Sequence, residues 1–385
     1  MNASSKQMTQ KTVSTYQAFA LIVSAMVGIG VLSMPQGVAK DAGPDGVWIF
    51  PLAGLLVAFG TFLVTKLGQR FPGLHFVQYI PRILGSKRSP WLGKIMAAPL
   101  IIIGVLLWLV TSALVSRLFG EGLVTVTLQR TPIQFIIFTL IAVGAVVSAQ
   151  RTEVIARFNE FLLPFLFIPF VLNLFTWLQR GELENLFPLF QVEPKQILRG
   201  LLTSFFSFAG FEFVLNYMPD YQRPQKAMIG HMTGIAVVTV LYWTTFMASL
   251  AAFGQFELVR MIWPTYELVK ILSIPGNILE RLESAILTVW MIAVFTTLII
   301  GFNTVINTIM VAFRWPDRYR KWIALGCVPL LYVIAVWPPD LKTAFLVRDW
   351  IGIGLVSYAV FGSALLLLIA VIRKIKGGTG DVASS

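Results

Sequence analysis

The sequence predicts an all-α polytopic membrane protein: ten transmembrane helices forming two inverted five-helix repeats, with helices 1 and 6 broken. Three observations carry that prediction. The chain is 57% hydrophobic and only 12% charged, with a mean hydropathy of +0.78, whereas a soluble domain carries roughly a quarter charged residues. Ten apolar runs of membrane length are joined by short polar connections. The first and the sixth run are interrupted by glycine, serine and proline. The same composition excludes disorder, which needs low hydrophobicity and high charge. Cys327 is the single cysteine, which excludes a disulfide framework and any cysteine metal site. His75 and His231 are the only histidines and leave little for zinc or acid–base chemistry. No metal and no cofactor are expected.

The elements follow in order. Run 12–39 lies behind Lys6 and Lys11. A cleaved signal peptide would be shorter and would end at a small-x-small site, so the run reads as the first span. Runs 46–65, 95–116, 131–150 and 161–179 supply spans two to five, and 200–218 is the sixth, carrying the charge of Glu212. Runs 227–256, 284–313, 322–339 and 350–372 complete the set. Each is long enough to cross about 30 Å of hydrocarbon as a helix, and none alternates as a barrel strand would. Residues 1–385 form a single transmembrane domain. Residues 12–178 make the first repeat, 200–373 the inverted second, and 374–385 a disordered cytoplasmic tail rich in Gly and Ser. The connections near 66–94, 180–199 and 257–283 are too short and mixed for a soluble core.

Lys and Arg placement sets the orientation. Basic residues gather between 66 and 94, at Arg314, Arg318, Arg320 and Lys321, and at Arg373, Lys374 and Lys376, so both termini are placed in the cytoplasm. The net charge of +12 sits beside apolar spans rather than on one soluble face. Positive-inside bias and anionic membrane lipids account for it, and no nucleic-acid partner is expected. Tryptophans such as Trp48, Trp91, Trp177, Trp263, Trp337 and Trp350 fit interfacial belts.

Five spans per half force the second half to start from the opposite side, the common plan of secondary transporters. Span one reads GIGVLSMP over 28–35, and span six reads SFFSFAGFE over 204–212, followed by Pro219. Each glycine weakens a helix by about 1 kcal/mol relative to alanine, and Pro35 removes a donor. An unwound stretch at mid-membrane presents one helix N-terminus and one C-terminus, which attract an anion and a cation. That pair suits a zwitterion such as an amino acid, with carboxylate on N–H groups and ammonium on carbonyls. Small residues also serve close packing, as the Ser24–Gly28 spacing would. Two interruptions at matching positions favour a binding site.

GIGVLSMP and FFSFAGFE resemble the amino acid–polyamine–organocation superfamily, and ten spans with short loops resemble its spore-germination permease family, the B subunit of nutrient germinant receptors. The resemblance implies a nutrient bound at Val27, Gly28, Ile29 and Gly30 of span one and at Phe206, Ser207, Phe208, Ala209 and Gly210 of span six. It makes Phe206 and Phe208 candidate gates, and it draws Trp108, Thr111, Thr296 and Thr297 from spans three and eight. It further implies an A subunit with a cytosolic domain, a lipid-anchored C subunit and the spore inner membrane. The lysine that proton-coupled superfamily members use in span five is absent here, with Asn159 and Glu160 at its inner end.

Glu212 is the conspicuous intramembrane charge. Four roles stay open for it: capping the broken helix, meeting the ligand ammonium through water, carrying a proton with Glu160 as a further polar relay, or a structural tie. His231 reads as a packing residue. The leading expectation is a ligand-sensing subunit for a nutrient, most simply an L-amino acid. A secondary amino acid transporter working by alternating access is the alternative, and an ion or water conduit the third. No enzymatic activity is expected, since no nucleophile–base set is present.

Overall fold

The computed structural model describes residues 12–28, 30–86, 89–272 and 282–377, with side chains from 285 onward in the last stretch. Ile29 and the tail beyond 377 therefore lie outside the described residues. Ser14 opens α1 (Thr15–Met26): its hydroxyl accepts from Gln17 N–H while the Gln17 side chain accepts from Ser14 N–H. The helix stops at Val27 and restarts as α2 (Gly30–Ala42). A 3-10 turn, Gly43–Asp45, leads into α3 (Gly46–Arg70), the second crossing. Then comes α4 (Phe76–Leu84), nine residues and too short to cross. The third and fourth crossings are α5 (Pro90–Val126) and α6 (Ile133–Ser148). The fifth is made of α7 (Thr152–Leu166) and α8 (Ile168–Arg180), separated at Phe167.

The second half repeats this order. α9 (Pro194–Ser207) and α10 (Val214–Tyr217) belong to one span bent by 52°. α11 (Ala227–Leu258) follows, then the short α12 (Pro264–Lys270), then α13 (Leu282–Phe313) and α14 (Arg320–Val336). α15 (Leu341–Ser357) and α16 (Ser363–Ile372) flank a π-helical turn, Tyr358–Gly362, in the last span. Each half thus runs broken span, long span, short non-crossing helix, long span, shorter span, interrupted span. An odd number of crossings per half turns the second upside down relative to the first. By length and apolarity seven helical stretches qualify as spans and the bent pair makes an eighth. The shorter Ile133–Ser148 adds a ninth, and Thr15–Met26 joined to α2 makes the tenth once α3 is counted by itself.

Three expectations shift. Pro35 lies inside α2, so the first span breaks at the glycines and not at the proline. The proline still leaves its mark: lacking an N–H, it frees the carbonyl of Val31, which accepts from the Thr265 hydroxyl at 2.7 Å. The tenth span begins at Leu341 rather than at 350. Arg348 and Asp349 look like loop residues in the sequence, yet they neutralise each other at 2.7 Å and so enter the helix. Trp263 is no belt residue: it is 3% exposed and faces the interior. Trp91, Trp337 and Trp350 do lie on the outer surface, each more than two-thirds exposed.

Both chain ends are tied to the opposite half. The N–H groups of Thr12 and Val13 donate to Asp220 O at 2.9 and 3.0 Å, and Gln222 N–H donates to Val13 O at 2.9 Å. At the other terminus Arg70, ending α3, donates to Ile375 O at 2.7 Å and Ala370 O at 2.9 Å. Gln69, next to Arg70, donates to Pro224 O, close to the N-terminal tie, so the described ends of the chain lie at one end of the bundle. Beside the N-terminal tie, His231 is buried between Thr65 at 2.8 Å and Tyr221 at 2.9 Å, both ring nitrogens engaged as a packing role requires.

Candidate functional site

The two broken spans meet. Gly210 adopts φ 122°, a region glycine alone enters readily, and this turns the chain from α9 into the 3-10 turn Phe211–Phe213. A Cβ on Gly210 would stand 2.7 Å from Ala25 O, and one on Gly30 would stand 3.0 Å from Ser207 Cα. Glycine at these positions lets the span-one and span-six backbones touch. Gly28 faces span eight instead, where a Cβ would come within 2.5 Å of Thr297 Oγ1.

Breaking α1 frees its last carbonyls, and hydroxyls from the second half take them up. Thr297 Oγ1 donates to Ser24 O at 3.0 Å, with Thr296 Oγ1 at 3.4 Å. Tyr242 O–H donates to Met26 O at 2.6 Å. The carbonyl end predicted to meet an ammonium is thus already hydrogen-bonded at Ser24 and Met26. In span six, Glu212 caps the break: its Oε2 accepts from Gly210 N–H at 2.9 Å. Its Oε1 is buried with no partner among the described residues, and so is Trp108 Nε1.

The sequence-predicted residues sort into separate neighbourhoods. Gly30, Ser207 and Gly210 form the contact between the breaks, Gly28 meets Thr297 of span eight, Thr296 and Thr297 take up Ser24 O, and Val27 is buried at the end of α1. Phe208 stacks on Phe50 at 5.1 Å and leans on Tyr242 at 5.8 Å, facing spans two and seven. Phe206 turns toward span ten, under the guanidinium of Arg348 at 5.4 Å. Ala209 is buried at the bend. Trp108 packs edge-on against Phe76 and Tyr358, on the Glu212 side of the break. Thr111 spends its hydroxyl on Leu107 O. Glu160 accepts from Gln17 Nε2 at 2.8 Å, joining spans one and five away from Glu212.

A small apolar cavity of about 30 Å³ opens beside the span-one break, bounded by Val27, Phe170, Trp263, Tyr266, Trp290 and Ala293. It has room for about two water molecules. Among the described residues, Val27 is the one predicted ligand residue on its wall. α12 closes it on one side through Trp263, Thr265 and Tyr266.

Sequence reasoning passed over three residues here. Tyr242 and Thr265 cap span-one carbonyls, but a hydroxyl in an apolar run signals nothing without its partner. Arg348 is buried, 4.6 Å above Phe345, and donates to Ser33 Oγ at 2.7 Å, binding spans one, six and ten together. The charged pair in an otherwise apolar run was the available signal. Among the described residues no group of three metal-ligating side chains occurs.

Residues 12–343 match the sequence family described as "Spore germination protein". The chain is 27% identical over 367 residues to the spore germination protein YndE of Bacillus subtilis (strain 168), covering 95% of this chain and 98% of that one. Among solved structures it resembles Mhp1, a nucleobase-cation-symport-1 family transporter, with a TM-score of 0.58 at 11% identity over 97% and 96% of the two chains. It resembles MhsT in complex with L-phenylalanine equally, with a TM-score of 0.58 at 13% identity over 93% and 98%. At such identities the likeness is one of fold: helical, membrane-spanning and built on inverted repeats.

Proposed function

The chain belongs to the spore germination protein family, and from that premise we propose that it is the nutrient-binding subunit of a germinant receptor. The nutrient is a small L-amino acid, held where the breaks of spans one and six meet. The observation that carries the proposal is the close approach of the two breaks, with the Gly30 Cβ position 3.0 Å from Ser207 Cα, beside the cavity at Val27. The apolar walls of that cavity favour an apolar side chain on the ligand. Binding widens the cavity and biases one arrangement of the two half-bundles, which partner A and C subunits read. The ligand acts only through its different affinities for the two arrangements. The chain sits in the spore inner membrane with both termini in the cytoplasm, and it performs no covalent chemistry.

A thermal-stability panel on the purified protein tests this, setting L-amino acids against their D-enantiomers, sugars and nucleosides. The control is Ala293→Leu, which fills the cavity. Gly30→Tyr is unsuitable, because its side chain would meet the Ser207 backbone and test the fold instead. A stereospecific shift lost in Ala293→Leu supports the site, and a shift of equal size in both proteins refutes it. Likeness of fold to two transporters supports a second reading, alternating-access transport of the same ligand. Gradient-driven uptake into proteoliposomes separates the two.

A further inference from the structure

At the end of the bundle that carries both termini, a groove of about 1320 Å³ runs between α4, the first half of α5 and the end of α13. It is larger than the roughly 300–1,000 Å³ of ordinary small-molecule sites, and it lies on the flank of the bundle rather than at the breaks. Four cationic residues line it: Arg82, Lys94, Arg314 and Arg373. Among the described residues no Asp or Glu lines it. Below the cations the wall is apolar, and Ile102, Leu106 and Phe313 are each more than half exposed along it.

The dimensions match one leaflet. Lys94 and Leu106 stand on the same helix, and at the α-helical rise their separation along its axis is about 18 Å. Half of a typical hydrocarbon core is about 15 Å. The groove therefore presents cations at the depth of headgroups and apolar surface over the depth of acyl chains, open to the side. Arg373 is fixed in place: it donates to the carbonyls of Ile83 and Gly85, the C-terminal end of α4. That contact satisfies the carbonyls of α4 while leaving the arginine's charge at the groove's mouth.

We infer that this groove is a binding site for one anionic glycerophospholipid of the leaflet facing the termini, its phosphate among Lys94, Arg314 and Arg373 and its chains along α5. Charge complementarity selects this occupant. A zwitterionic lipid would leave the cluster of like charges uncompensated, and a hydrophobic helix would leave it facing nothing. Interfacial cations of this kind each contribute enough that two together weigh roughly thirtyfold in binding.

Native mass spectrometry of the full chain, released from mixed phosphatidylcholine and phosphatidylglycerol, tests the site. The expected result is retention of one phosphatidylglycerol in strong preference to phosphatidylcholine. Lys94→Gln with Arg314→Gln should reduce that preference by roughly thirtyfold. Arg318→Gln with Lys321→Gln removes the same charge at the same end outside the groove and should leave the preference unchanged. Ala98→Trp, which blocks the apolar wall and keeps every cation, should abolish retention. Equal binding of the two lipids by the unmodified chain overturns the inference. So does equal loss in both charge variants, retention in Ala98→Trp, or a protein segment recovered in the groove instead of lipid.

Discussion

Replacing Gly28 by alanine is the sharpest probe of how span one is held at its break. The added Cβ would stand 2.5 Å from Thr297 Oγ1 and 3.1 Å from Thr297 Cβ. The hydroxyl cannot simply retreat, because it is donated to Ser24 O at 3.0 Å and lies 3.2 Å from Ala293 O. Turning it away sacrifices hydrogen bonding worth about 0.5–1.5 kcal/mol, and the residual crowding adds about 1–3 kcal/mol. Gly28→Ala should therefore destabilise the protein by about 2–4 kcal/mol. Thr297→Ala alone should cost about 1 kcal/mol, the lost hydrogen bond. The double variant leaves two Cβ atoms at 3.1 Å, which a shift of a few tenths of an ångström relieves. It should be more stable than Gly28→Ala, with a coupling of about 2 kcal/mol. Unfolding of the four purified proteins in detergent, run as a double-mutant cycle, provides the measurement. Simple additivity of the two substitutions would refute the steric argument.

Three other outcomes are expected. His75 caps α4 as a neutral ring, with Nε2–H donated to Asn216 Oδ1 at 2.6 Å and Nδ1 accepting from Val77 N–H at 3.3 Å. Burial lowers its pKa to about 4 although the Asn216 bond raises it. The unfolded chain thus binds the extra proton first, and stability present above pH 6.5 declines on acidification toward pH 4, by up to about 3 kcal/mol. His75→Gln should flatten that slope in a pH series of unfolding temperatures, and an unchanged slope would count against it. Glu212→Gln keeps an acceptor for Gly210 N–H whereas Glu212→Ala leaves that donor bare, so the alanine variant should be less stable by about 1–3 kcal/mol; equal stability would remove the cap. Arg348→Lys retains charge but loses the fork to Asp349 and the stacking on Phe206 and Phe345. A loss of about 1–2 kcal/mol is expected, and full stability would show that charge alone matters.

How much of this could be read from the chain differs between levels. The ten crossings follow from apolar runs longer than the bilayer needs, a property of each segment alone. The breaks are legible too, from the glycine pair of span one and the lone Gly210 of span six, since glycine weakens a helix wherever it occurs, although the role of Pro35 depends on Thr265, a residue far along the sequence. The ends of spans were misjudged where charges pair locally, as with Arg348 and Asp349. Which side chains surround the breaks is a tertiary matter. Nothing in the sequence YWTT announces that Tyr242 caps Met26 O, and nothing separates Phe206 from Phe208 until each finds its own neighbour. The short helix α12 was hidden inside a connection read as a loop, and it brought Trp263 inward from its expected belt.

The tie between Thr12–Val13 and Asp220–Gln222 has a mechanical consequence. It joins the outset of α1 to the segment just beyond α10, so the portions of spans one and six on the terminal side of their breaks are coupled by three backbone hydrogen bonds. Such bonds together contribute a few kcal/mol, comparable to the difference between populated conformers. Any movement of one half-helix about the glycines would therefore carry the other with it. The tie lies at the same end of the bundle as the basic groove.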